Sequence, residues 1–90
     1  MITLGLPYPS VVNDMKTIDE WFIAANIRPG VVMKIMNDST QVRIDNVYIV
    51  YGFDDETLAM QFRLSFNAKL VELDGEELEY MERALNNEHA

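Results

Sequence analysis

Val47-Tyr48-Ile49-Val50-Tyr51-Gly52-Phe53 runs directly into Asp54-Asp55-Glu56-Thr57-Leu58-Ala59-Met60-Gln61-Phe62-Arg63-Leu64-Ser65-Phe66. In an extended chain Val47, Ile49, Tyr51 and Phe53 fall on one side and Tyr48 and Val50 on the other, and both sides are rich in β-branched and aromatic types. Such a strand needs cover on both faces. At Asp54 the period changes. A carboxylate there can accept from the free amides of a first helical turn, and Asp55 and Glu56 sit where the helix dipole favours anions. Phe53 and Leu58 then take the positions of a hydrophobic staple around an Asp54 cap. Leu58, Ala59, Phe62 and Phe66 share one helical face, while Met60 and Leu64 point elsewhere.

Working outward, Met1 to Leu6 alternates weakly and reads as a short strand, and Pro7-Tyr8-Pro9 reads as an extended or turning segment. Val11, Met15, Ile18, Phe22 and Ala25 recur at helical spacing, so a helix follows, starting at Ser10 or at the capping-box sequence Thr17-Ile18-Asp19-Glu20. It ends before Pro29-Gly30. Val31 to Met36 reads as a strand, Asn37-Asp38-Ser39-Thr40 as a turn and Gln41 to Ile44 as a returning strand, with a bulge or break at Asp45-Asn46. Lys69 to Leu73 alternates as a last strand. Asp74-Gly75-Glu76-Glu77 has capping-box spacing and opens a helix with a narrow Leu78, Met81, Leu85 stripe.

The order strand, helix, strand, strand, helix, strand predicts an α+β chain with a ferredoxin-like split βαβ sheet and an additional C-terminal helix. Residues 1–90 read as a single domain. Two helices would cover one sheet face. The other, carrying Tyr48 and Val50, needs the Leu78-Met81-Leu85 stripe or a second subunit.

Fifteen acidic residues against seven basic give a net charge of -8. This balance argues against direct nucleic-acid binding, which relies on Lys and Arg neutralising phosphates, and against anionic membranes. Met1 to Leu6 has no basic region and only a short apolar run, so it reads as neither signal peptide nor membrane span, and the expected location is cytoplasmic. With no cysteine, disulfides, thiolate chemistry and sulfur-ligated zinc are ruled out. The one histidine, His89, is next to the last residue, and the glycines Gly5, Gly30, Gly52 and Gly75 are isolated, so neither a histidine base nor a phosphate loop is expected. Asp54-Asp55-Glu56 lacks the alternate spacing of a calcium loop. Cofactors are expected to be none, and the chain reads as a non-enzyme.

From Leu70 onward Glu72, Asp74, Glu76, Glu77, Glu79, Glu82 and Glu88 face Arg83 alone, so most of the net charge lies near this end. The carboxylates from Glu72 to Glu82 are either the wet side of an amphipathic helix or a partner-binding surface that imitates regular negative charge and occupies a basic groove. Met60 and Leu64 are either covered by the last helix or the first segment, or belong with Tyr48 and Val50 to a self-association patch. Trp21 reads as core or as an interface anchor.

The aromatic-ended strand followed by Phe53-Asp54-Asp55-Glu56-Thr57-Leu58-Ala59-Met60-Gln61-Phe62-Arg63-Leu64 resembles a pattern found in small accessory proteins of tailed bacteriophages. The resemblance implies a phage origin and an acidic protein that binds and inactivates host machinery; it assigns no functional residue. The resulting expectation is a non-enzymatic acidic protein-binding module, a phage-encoded inhibitor occluding a basic surface of a host defence or nucleic-acid-processing protein and forming a homo-oligomer. The alternative is a structural subunit of a homo-oligomeric or virion assembly.

Overall fold

The computed structural model describes residues 1–36 and 46–86, with side chains through residue 84. The expected turn at 37–40, the returning strand at 41–44, the Asp45 half of the break and His89 lie outside the described residues, as does the side chain of Leu85 in the last stripe. Within them the chain is α+β: strand β1 (Ile2–Pro7), helix α1 (Tyr8–Ala25), β2 (Gly30–Ile35), β3 (Val47–Phe53), α2 (Glu56–Phe66), β4 (Lys69–Leu70) and α3 (Gly75–Asn86). The strands form one antiparallel sheet in the order β2-β3-β1-β4.

The alternation of β3 sorts the protein into two cores. Tyr51 and Phe53 face a layer made by Val11, Ile18 and Phe22 of α1 and by Ala59 and Phe62 of α2, joined by Leu4 and Leu6 of β1. Val50 faces the other way, packed with Val32, Val71 and Met81, where α3 lies. Register settles which side of β2 lies beside it: Val32 pairs with Val50 and Lys34 with Tyr48, so Val31, Met33 and Ile35 share the side of Tyr51 and Ile49. Two glycines let the second layer close. A Cβ on Gly5 would lie 2.6 Å from Val71 Cγ2, and one on Gly52 would lie 2.7 Å from Met81 Sδ, so the β4–α3 connection and α3 approach the two central strands more closely than a side chain permits.

Three local expectations need correction. The cap of α2 is Asp55, whose carboxylate accepts from Leu58 N at 3.1 Å; Asp54 is spent on the turn out of β3, and the staple pairing of Phe53 with Leu58 is shifted out of position. Helix α1 begins at Tyr8, before either Ser10 or Thr17, because Pro9 falls in its first turn, where a missing N–H costs nothing. Met15 is exposed rather than part of the buried stripe. Both α1 and α2 end on an asparagine in the left-handed region, Asn26 at φ 57° and Asn67 at φ 55°.

The capping box at α3 forms as its spacing suggests. Glu77 N donates to Asp74 Oδ1 at 2.8 Å and Asp74 N donates to Glu77 Oε1 at 3.0 Å. The same Glu77 oxygen accepts from Lys34 Nζ at 2.7 Å, tying the start of α3 to β2. The β4 pairing is only two residues long, but Val71 N donates to Thr3 O and the Thr3 hydroxyl donates back to Val71 O, extending the clasp on β1.

Candidate protein interface

Of the six carboxylates expected to meet a partner, two are engaged in building the fold. Asp74 and Glu77 are the reciprocal cap, and Glu77 also neutralises Lys34 in a partly buried pair. Glu79 pairs with Arg83 one turn on, a solvent-exposed contact of little energetic weight. Glu72, Glu76 and Glu82 are exposed and have no ion pair among the described residues. At 100° per residue, Glu76 and Glu79 point away from the side that Met81 buries.

Glu76 has a particular setting. With Val31, Val32, Met33, Glu77 and Tyr80 it lines a shallow cleft of about 340 Å³ where α3 overhangs β2. That strand is the outer one of the sheet among the described residues, so its outward N–H and C=O groups have no strand partner there. Edge strands are ordinarily guarded by a free charge. The one charge on β2, Lys34, is turned inward to Glu77, and Val31, Met33 and Ile35 stand 43%, 61% and 48% exposed. Tyr80 adds an exposed aromatic ring beside them. Sequence reasoning left open whether Val31, Met33 and Ile35 or Val32, Lys34 and Met36 lie beside Tyr48 and Val50, and it missed Tyr80. The alternation was visible, but nothing in it says that β2 would be an edge.

The four residues read as a self-association patch do not come together as one surface. Val50 is wholly buried under α3 in its own chain, so the C-terminal helix supplies the cover that a second subunit was the alternative for. Tyr48 is half-buried, with Lys69 Nζ 4.6 Å above its ring. Met60 and Leu64 are 49% and 80% exposed, covered neither by α3 nor by the first segment. Leu64 and Tyr48 do line one cleft, of about 480 Å³, between the end of α2 and strands β1, β3 and β4, which Arg63, Asn67 and Lys69 also line. Trp21 is half-buried in the aromatic core, edge-on to Phe22 and Phe62.

A third cleft, about 400 Å³, runs between α1 and β2 along Asp19, Phe22, Ile23, Arg28 and Val31, with Tyr51 beneath. Burial, and secondarily the charge of Asp19, push the Tyr51 phenol up to about 12 from 10.0. The folded chain therefore keeps Tyr51 neutral where the unfolded chain ionises it. The stabilising contribution is fully present below pH 10 and is lost as pH rises through about 12, a difference of roughly 2–3 kcal/mol. Thermal melts at pH 9 and pH 11.5 should accordingly show a larger fall for the wild type than for Tyr51→Phe; parallel profiles would refute the assignment.

Among the described residues no group of three or more His, Asp or Glu side chains is placed to hold a metal ion, and no helix is long and apolar enough to cross a membrane. No protein-family model, curated protein or solved structure matches the chain, so its surface chemistry is the guide to what it does.

Proposed function

We propose that this protein is a non-enzymatic acidic binding module that occludes a basic surface of a protein partner. The observation that carries the reading is the outer edge of β2, which among the described residues has no strand partner and no free guarding charge, is apolar at Val31 and Met33 and is overhung by Glu76 of the acidic α3. An extended partner segment can add to such an edge through main-chain hydrogen bonds, while cationic side chains meet Glu76 and the field of Glu72, Glu79 and Glu82. The strand order and pairing support a ferredoxin-like split βαβ arrangement with α3 as the addition. In that reading β1 and β2 run the same way with β3 between them, and β3 and β4 do so with β1 between them. The resemblance of Phe53 to Leu64 to phage accessory proteins supports a phage origin and a host target in the cytoplasm as part of the same proposal.

The test uses a partner captured from bacterial lysate and then purified. Affinity for the wild type should fall with added salt, and replacing Glu76, Glu79 and Glu82 by glutamine should weaken it at least tenfold and flatten the salt dependence. An unchanged affinity overturns the reading. A second reading, a structural subunit of a homo-oligomeric assembly, is favoured by the exposure of Leu64 at 80% and Ile23 at 77%. It requires a large, salt-resistant oligomer in light scattering across protein concentration.

A further inference from the structure

Seven cations must be placed on a chain of net charge -8, and their distribution is uneven. Lys16, Lys34 and Arg83 each face a carboxylate. Among the described residues Arg28, Arg63 and Lys69 face none, and two of those three, Arg63 and Lys69, line the same cleft at the end of α2. None of the described residues lining that cleft is acidic. Each cation has a local explanation: Arg63 complements the C-terminal dipole of α2, and Lys69 rests over the Tyr48 ring. Neither explanation accounts for two positive charges brought to one cavity without a counter-charge among the described residues, in a chain where carboxylates are plentiful.

We propose that this cleft binds a small organic anion. Arg63 supplies a planar fork matched to a carboxylate or phosphate, and Lys69 a point charge beside it. Asn67, set by its left-handed backbone at the end of α2, offers an amide to the same head group. Leu64, otherwise 80% in water, and the edge of Tyr48 flank an apolar or aromatic body. The volume of about 480 Å³ falls within the ~300–1,000 Å³ of small-molecule sites. Size and net charge act together in selecting the ligand: a long polyanion would meet the acidic remainder of the molecule, whereas a compact mono- or dianion meets only the cleft.

Titrating the full ¹⁵N-labelled chain at constant ionic strength with phenyl phosphate, inorganic phosphate and benzyl alcohol tests this. Phenyl phosphate should give saturable shifts at Gly5, Leu64, Asn67, Lys69 and the Arg63 side chain, at least tenfold tighter than either of the other two probes. Arg63→Gln and Lys69→Gln should each weaken it at least fivefold, with the remaining amide spectrum marking the variants as folded. Should Arg63→Gln disturb the fold, Arg63→Lys, which keeps the charge but not the fork, should still weaken binding about threefold. Shifts that do not saturate, that are as large at Arg28, or that survive these substitutions overturn the proposal, as does equal binding of inorganic phosphate.

Discussion

Phe62→Ala is expected to cause the largest loss of stability of any single truncation in the aromatic core. Phe62 is wholly buried, and its ring lies 5.2 Å from Trp21, 5.2 Å from Phe22, 5.3 Å from Tyr51, 5.2 Å from Phe53 and 4.9 Å from Phe66, centroid to centroid. It is the ring through which α1, α2 and β3 touch one another. Truncating a buried phenylalanine costs about 3–5 kcal/mol, because the lost transfer energy is joined by the cavity left behind. A domain of this size has a total stability of about 5–10 kcal/mol, so roughly a third or more of it disappears. The urea midpoint should fall by roughly 3–5 M for a slope near 1 kcal/mol/M. Phe62→Leu, which keeps most of the volume, should lose far less. A fall below 1 M for the alanine variant would mean that the surrounding rings close over the gap.

Met81→Ala should produce a loss of similar size and different character. Met81 is wholly buried, covers Val32, Val50 and Val71, and lies against Gly52. It is the one fully buried side chain of α3 among those described; Leu78 is already 37% exposed. Shortening it costs about 2–5 kcal/mol, concentrated where a single helix is held by one side chain, one ion pair and a capping box. The expected result is release of α3 with the aromatic core intact. Helical circular dichroism should drop by about one helix and a hydrophobic dye should bind the uncovered sheet face, while Trp21 emission stays native. Concerted loss of both signals would show that the two cores fold as one unit.

The stretch Val47 to Phe66 was legible because strand and helix periods are local. The alternation of β3 and the Ala59, Phe62, Phe66 face are in place, and both sides of β3 are covered. The same segment also shows the limit of local reading. Asp54 and Asp55 are equally good caps by type, and what chooses Asp55 is the extra residue the backbone needs to turn from strand axis to helix axis. Similarly, Pro7-Tyr8-Pro9 looks like a break in sequence, yet Pro9 is harmless in a first turn. The candidate interface was only half legible. The acidic run was plain, but Glu77 is diverted to Lys34, 43 residues away in sequence, and that pairing decides both which carboxylates stay free and whether β2 keeps its guarding charge. Exposure at Met60 and Leu64 is likewise a matter of where α3 lands: it lies on the other side of the sheet.

The sheet order carries a consequence for how the chain is made. Its central pair joins Ile2 to Phe53 and Pro7 to Tyr48, and the far side of β1 is closed by Lys69 and Leu70. During synthesis, therefore, β1 and α1 emerge with Leu4, Leu6, Ile18 and Phe22 bare, and no partner strand for β1 exists until the chain some forty residues beyond Pro7 has left the ribosome, as the Pro7–Tyr48 pair requires. Pairing of such distant segments is slow, since the loop must close before any contact rewards it. Nascent chains halted before β3 should be held by chaperones or aggregate.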